Sequence, residues 1–595
     1  MKRATKYIIG SVTIGILSMV LAGCSSSNTN NNQTASLGNL KINYDNKKQA
    51  ISNGTLNIGL VQDTPFQGIF SPTLLNTTAD STLLAPTGGS LFKTTTAFKI
   101  IDGGAANIKL DKETKTATIT LHKGLTWSDG KAVIAKDLEF PYEIIANPAY
   151  QAQQYSDSYA NIVGMTAYHN GQTKTITGIT YPKGPNGNIL QIKFNHMTPG
   201  MWQSGSGYYF EGAEPYHYLK NIKPANLAAS KEIRQAPLGY GPYKVSKINA
   251  GQSVLYVPNP YYYGTKPKLK LINASVVSTA TAQAALKDKK YDIMYNLPTT
   301  AYPAIKALPD YVQTGNQSLR LSYLDFNLGH YDSNTSMNIM DRKTPLQSIA
   351  LRQAIGYAMN VDQVTQKFDN GLNQRLRTSI VPVFKGAINT NIKGYPLNIN
   401  KANQLLDNAG FKWNPKHEYR LTPEGKPFKL TFVSRASDAN TEAISQNYIQ
   451  QWKQVGINVG LYHGRLTDFN TWVQMMMGGT NNDWDFTIAS NSGTSDPSQI
   501  ALFGKGTQYN IGHFTTPKFS QLQAKIDSPA AIDPAVRKQA LFEYQKYVQN
   551  NVPFIPLTSG LDWIPVNQRV IGYTNDVAAS QELWANIAVS ASKTK

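Results

Sequence analysis

Trp452-Lys453-Gln454-Val455-Gly456-Ile457-Asn458-Val459-Gly460-Leu461 holds a helix end, a glycine stop and a strand start in one short run. Upstream, Ile444, Tyr448, Trp452 and Val455 recur at helical spacing and form one apolar stripe. Downstream, Ile457, Val459 and Leu461 alternate with Asn458 and Gly460, the period of a strand. Helix, glycine, strand is the connection expected of an α/β domain.

The same grammar extends along the second half. Leu351, Ala354, Ile355 and Ala358 stripe one helix. Asn360 and Gln363 form a capping-box pattern that opens the next, which Gly371 closes. Asn400 is the expected cap of a helix carrying Ala402, Leu405, Leu406 and Ala409, with Gly410 beyond it. The first half favours strands. Thr55 to Leu60 and Thr116 to Leu121 alternate, and 175–195 reads as strands around a Pro/Gly turn at 182–187. Tyr243, Val245, Ile248, Val254 and Tyr256 extend the pattern after the Gly239-Tyr240-Gly241-Pro242 turn. Ala135 to Ala146 reads as a short helix stopped before Pro148. No short-period repeat is present.

The N-terminus is an address. Lys2, Arg3 and Lys6 precede an uncharged run from Tyr7 to Leu21, and Leu21-Ala22-Gly23-Cys24 follows. Residues 1–23 therefore read as a secretory signal, too short in its apolar part to span a membrane. Cys24 is the sole cysteine, so no internal disulfide is available. Leu-Ala-Gly-Cys resembles the bacterial lipobox, whose cysteine is acylated. That resemblance implies lipidation at Cys24 and a protein on the extracellular face of the cell membrane. Residues 24–54 are polar and read as a flexible tether, with ordered structure beginning at Thr55.

Composition narrows the function. The chain has 595 residues, 41% hydrophobic and 16% charged, which is globular. The net charge of +20 is spread thinly, with no block of like charge, which argues against nucleic acid as a partner. The 33 tyrosines and 8 tryptophans suit a surface that meets varied ligands. The eight histidines are far apart and no metal-ligand spacing occurs. No nucleophile elbow or phosphate loop is present, so nothing supports an enzyme.

Four blocks carry a family resemblance. They are Ile119 to Lys131 with Trp127-Ser128-Asp129-Gly130; Gly239 to Tyr262 with Asn259-Pro260; Tyr323 to Asn327 followed by Leu351 to Met359; and Ala402 to Gly410, Trp452 to Ile457, Asp485 and Asp496-Pro497. In this order they resemble the solute-binding proteins of peptide, dipeptide and nickel ABC importers, most of all the large oligopeptide-binding lipoproteins of lactic acid bacteria. The resemblance implies an α/β, two-lobed periplasmic-binding-protein-like (Venus flytrap) fold with an additional N-terminal subdomain. Lobe I would span 55–313 with an insertion at about 76–195, lobe II 314–557, and 558–595 would return to lobe I. The crossings are expected near Gly315 and Leu557–Gly560.

By the same resemblance the ligand is an oligopeptide held largely by its backbone, and the partners are ABC permease subunits, with no cofactor, no metal and a monomeric protein. Pairing of the peptide is expected at Thr77, Thr78, Ala79 and Asp80, and at Ala489, Ser490, Asn491 and Ser492. Phe66, Tyr323, Asn327, Trp472 and Trp484 are the expected pocket lining. Some relatives anchor the peptide amine with an aspartate four residues before the proline. Gly493 stands there in this chain, and Asp496 is the nearest carboxylate. Other ligands of the same fold (a peptide pheromone, a nickel complex, haem, a glycan) stay open, as does an exported peptidase.

Overall fold

Leu40 begins the chain described by the computed structural model, which covers residues 40–75, 77–150, 155–437, 439–477 and 483–595. Cys24, the signal and the first part of the tether lie outside these residues. The rest of the expected tether is docked, not free. Leu40 is buried, the Lys41 N–H donates to the Gln313 carbonyl, and β1 (Asn43–Tyr44) pairs with Tyr573–Thr574 near the C-terminus. Leu40 belongs to a buried cluster with Val61 and Trp563, and Tyr44 packs on the core around β2 (Gly54–Val61), whereas Ile42 is exposed.

Strand β2 (Gly54–Val61) is central to lobe I, and every residue of it is buried or half-buried. Helix α1 (Thr78–Leu84) follows, and the chain then enters an inserted subdomain. Its sheet consists of β3 (Ala106–Asp111), β4 (Thr116–Leu121), β5 (Ile179–Thr180) and β6 (Ile189–Lys193), in the order β3-β4-β6-β5. Helix α2 (Ala135–Ile145) covers it. Trp127 of the Ser-Asp-Gly block is buried there, its indole N–H donating to Asp137 at 2.9 Å. The insertion does not end at 195. Met201, Tyr209, Ala213 and Tyr240 belong to its core, and Leu219, Leu227 and Ile233 pack on α2. Residues 196–236 contain only very short helices and loops, so no period marks them in the sequence.

The chain returns to lobe I through β7 (Tyr243–Asn249), β8 (Ser253–Pro258), β9 (Leu269–Val277) and β10 (Ile293–Tyr295). β9 and β10 flank β2 in parallel. Strand β11 (Tyr311–Gln317) then leads across to β12 (Arg320–Phe326) in lobe II. Lobe II adds the helices α3 (Ile349–Ala358), α4 (Val361–Lys367), α5 (Ile399–Asn408) and α6 (Thr441–Gln454), and the strands β13 (Leu430–Val433), β14 (Val459–Leu461) and β15 (Phe486–Ser492). The cap of α5 is Asn398, not Asn400; its Oδ1 accepts from the Lys401 N–H at 2.8 Å. The α6–Gly456–β14 connection has Gly456 at φ 79°, as a helix stop requires.

Strand β16 (Phe554–Asn567) joins the lobes. Its first half pairs with β12 and its second half with β11. The crossings fall at Ser318–Leu319, between β11 and β12, and at the facing Thr558–Leu561 stretch. The Ser318 N–H donates to the Gly560 carbonyl at 3.0 Å and ties the two together. Gly315 has no room for a side chain, because a Cβ would stand 2.7 Å from Leu40 and 2.8 Å from the Asp562 carbonyl. The inserted subdomain also touches lobe II. The Ser495 hydroxyl donates to the Ser204 carbonyl, Phe98 packs on the lobe II core and Ile532 on the subdomain core. No helix among the described residues is long and apolar enough to cross a membrane.

Candidate functional site

Strand β15 lies between β13 and β12 only at its start. β13 pairs with Phe486 and Thr487 and then diverges, whereas β12 pairs along the whole strand, from Phe326↔Phe486 to Arg320↔Ser492. Beyond Thr487, no strand among the described residues covers the second edge. The bonding parity is legible. The Gly493 N–H donates to the Leu319 carbonyl, and the Ser322 hydroxyl reaches the Ala489 carbonyl. Odd-numbered residues therefore face β12, and the backbones of Ser490 and Ser492 face the open edge. Both serines are exposed. A strand edge with free donors and acceptors is a template for another extended chain.

Three features border this edge. Arg435, just past β13, lies 5.4 Å from the Phe469 ring centre and 5.8 Å from that of Trp472, on α7 (Phe469–Met477). The Trp472 indole N–H donates to Thr487 Oγ1 at 2.9 Å. Desolvation lowers the Arg435 pKa and the Arg320 charge lowers it further; Arg320 itself pairs with Ser492 of β15. At the far end, Asn491, Ser492 and Gly493 open onto a cavity of about 350 Å³ walled by Leu319, Ile380, Val381, Phe384 and Leu502. That volume lies in the range of small-ligand sites.

The expected site residues divide sharply. Ala489, Ser490, Asn491 and Ser492 form the open-edged strand. Thr77, Thr78, Ala79 and Asp80 do not form a strand. Thr77 caps α1, its Oγ1 accepting from the Asp80 N–H at 3.1 Å; Ala79 is buried; and Asp80 Oδ1 accepts from the Gly68 N–H at 2.9 Å. A helical backbone cannot add to a sheet, and small polar residues before an apolar run fit an N-cap as well as a strand. Asp496 is not a free amine anchor. Both its oxygens accept from Arg537, at 2.7 and 2.8 Å, and Oδ1 also caps the Ser498 N–H. Its charge is already compensated in a buried pair.

Four of the five expected lining residues are core. Phe66 packs in lobe I. Tyr323 is fully buried, and its phenol accepts from Asn491 at 2.7 Å. Buried Asn327 donates to the carbonyl of buried Trp484 at 3.1 Å. Only Trp472 stands beside the open edge. The sequence reading missed Arg320, Arg435, Ser379 and the 380–384 wall. No motif marks them, because they reach the site through strand register and loop packing.

Among the described residues, no group of His, Cys, Asp or Glu is placed to hold a metal ion. Residues 99–510 match the model of "Bacterial extracellular solute-binding proteins, family 5 Middle". The chain belongs to this family. It is a family of binding proteins, not of catalysts, and its two-lobed α/β fold is the one described above. The oligopeptide-binding protein OppA of Lactococcus lactis subsp. lactis is 45% identical over 98% of this chain and 98% of its own length. The solved structure of lactococcal OppA, complexed with an endogenous peptide in the closed conformation, is 46% identical. It covers 90% of this chain and 100% of its own, with a TM-score of 0.78. NikZ of Campylobacter jejuni, solved with Ni(L-His), shares the fold at 18% identity, covers 90% of this chain and 100% of its own, and has a TM-score of 0.65.

Proposed function

We propose that this protein captures oligopeptides on the extracellular side of the cell membrane and delivers them to an ABC import permease. The single observation that carries the reading is the uncovered edge of β15 at Ser490 and Ser492. Strand addition there supplies main-chain hydrogen bonds that every peptide offers, whatever its side chains. The peptide-bound lactococcal OppA structure, at 46% identity, supports the same ligand class.

With Asp496 engaged by Arg537 and glycine at 493, the amine of the peptide has no dedicated carboxylate on this loop. Such a site tolerates variable register and longer chains. Cys24 carries the lipid in this reading, two lobes close on the ligand about the β11–β12 and β16 crossings, and the protein acts as a monomer. Mass spectrometry of whatever co-purifies with the protein under native conditions tests the ligand class. A family of peptides of mixed sequence supports the reading. A single invariant peptide indicates a dedicated pheromone receptor, and a nickel complex, haem or a glycan refutes it.

A further inference from the structure

The inserted subdomain touches both lobes, so any motion of one lobe against the other must break one of its two attachments. The attachment to lobe I is the broader. The chain enters the subdomain from α1 and leaves it into β7, both in lobe I. The Gly241 N–H donates to the Thr87 carbonyl at 2.7 Å, and the buried Tyr240 phenol to the Gly89 carbonyl at 2.6 Å. The C-terminal return segment also holds the base of a short hairpin, Lys93–Thr94 paired with Ile100–Ile101. Gln581 Nε2 donates to the Ser90 carbonyl at 2.6 Å, and Lys93 Nζ pairs with Glu582 at 2.9 Å.

The attachment to lobe II is narrow. Phe98, in the turn of that hairpin, packs on the lobe II core. Its φ is 63°, which a bulky residue rarely adopts and which persists only where the surroundings hold it. The Phe98 carbonyl accepts from the Ser204 N–H at 2.9 Å, which joins the hairpin tip to the 203–207 loop. The Ser204 carbonyl in turn accepts from the Ser495 hydroxyl. A Cβ at Gly205 would stand 2.7 Å from Ser495 Oγ, and one at Gly200 would stand 3.3 Å from Asp496 Oδ2, so both backbones lie against lobe II. Asp496 is itself fixed by Arg537 at 2.7 Å. Ser495 lies only three residues beyond Ser492, the end of the open-edged strand. We infer that the inserted subdomain is a latch: Phe98 and the 203–205 loop clasp lobe II at Ser495 and Asp496, hold the lobes together and set the rate at which a bound peptide leaves, without choosing which peptide binds. One ring, one hydrogen bond and two close glycines make a contact small enough to part whenever the lobes open, on the timescale of hinge motion. The inference rests on the peptide reading only for its kinetic readout.

Two variants test it. A Cβ at position 205 would lie 3.6 Å from Ser495 Cβ, which is disulfide distance. Gly205→Cys with Ser495→Cys is made in the Cys24→Ser background, which leaves no other thiol. The protein is loaded with isotope-labelled peptide pool eluted from the parent and chased with unlabelled pool. Release is expected to stop in the oxidised form and to resume on reduction. Phe98→Gly removes the ring and accepts the positive φ, so the subdomain keeps its fold. Its release is expected to be about tenfold faster, with an unchanged mixture of bound sequences. The inference is overturned if the oxidised pair releases peptide as fast as the reduced one, or if no bridge forms in the loaded protein. It is also overturned if Phe98→Gly releases at the parent's rate, or if its mixture of bound sequences shifts, since Phe98 would then be a ligand contact. A parent that carries no peptide refutes the peptide reading alone. Small-angle scattering of the ligand-free cysteine pair then decides the latch: a smaller radius of gyration on oxidation supports it, and an unchanged one overturns it.

Discussion

Ser490→Pro removes one backbone N–H from the edge of β15 that no described strand covers. Its effect separates ligand pairing from structure. The Ser490 N–H faces away from β12, so proline costs the fold little, as it does on edge strands generally. The lost hydrogen bond to a peptide is worth about 1 kcal/mol, or about fivefold in affinity. The ring also stands where the peptide strand must approach, and the combined loss is expected to exceed about tenfold. Asn491→Pro is the counterpart. The Asn491 N–H faces β12, opposite Leu321, and its side chain donates to the buried Tyr323 phenol at 2.7 Å. That substitution should cost about 3 kcal/mol or more of stability. Both variants are compared by thermal melting and by calorimetric titration with the peptide pool eluted from the parent protein. The reasoning fails if Ser490→Pro binds the pool as tightly as the parent while keeping its melting temperature.

Cys24→Ser should move the protein from the membrane fraction to the medium; full retention with membranes would refute the lipid anchor. Lobe closure should appear in small-angle scattering as a smaller radius of gyration when the peptide pool is added, and identical curves at saturating ligand would refute the hinge. Burial pushes the Glu214 carboxyl up to about 7, against hydrogen bonds from Ser71 and Thr73 that favour its charged form. A carboxyl raised in this way binds more protons folded than unfolded. It therefore stabilises the protein below its unfolded value of 4.5, and that stability is lost as pH rises to about 7. The effect is at most about 3 kcal/mol. Glu214→Gln should flatten the fall in melting temperature over that range, and an unchanged pH profile would contradict the assignment.

What could be read in advance follows from periodicity. The α6–Gly456–β14 connection and the α3 stripe were legible because each buries one face of a regular element. The α5 cap was misplaced by two residues because Asn398 and Asn400 are equally good cap residues by type. The insertion beyond 195 was invisible because loops and very short helices impose no repeat. In the site, the expected pairing residues Ala489 to Ser492 fall on the stretch of β15 that β13 leaves uncovered. Tyr323 and Trp484 misled because an aromatic ring with a polar tip looks alike in a core and in a pocket until its partner is known.

Hydrogen exchange at single-amide resolution, with and without the eluted peptide pool, tests strand addition most directly. The account predicts an alternating pattern: the Ser490 and Ser492 amides exchange fast in the free protein and slow on binding, whereas Ala489, Asn491 and Gly493, already bonded to β12, change little. Saturating peptide that leaves Ser490 and Ser492 exchanging as fast as before would contradict it.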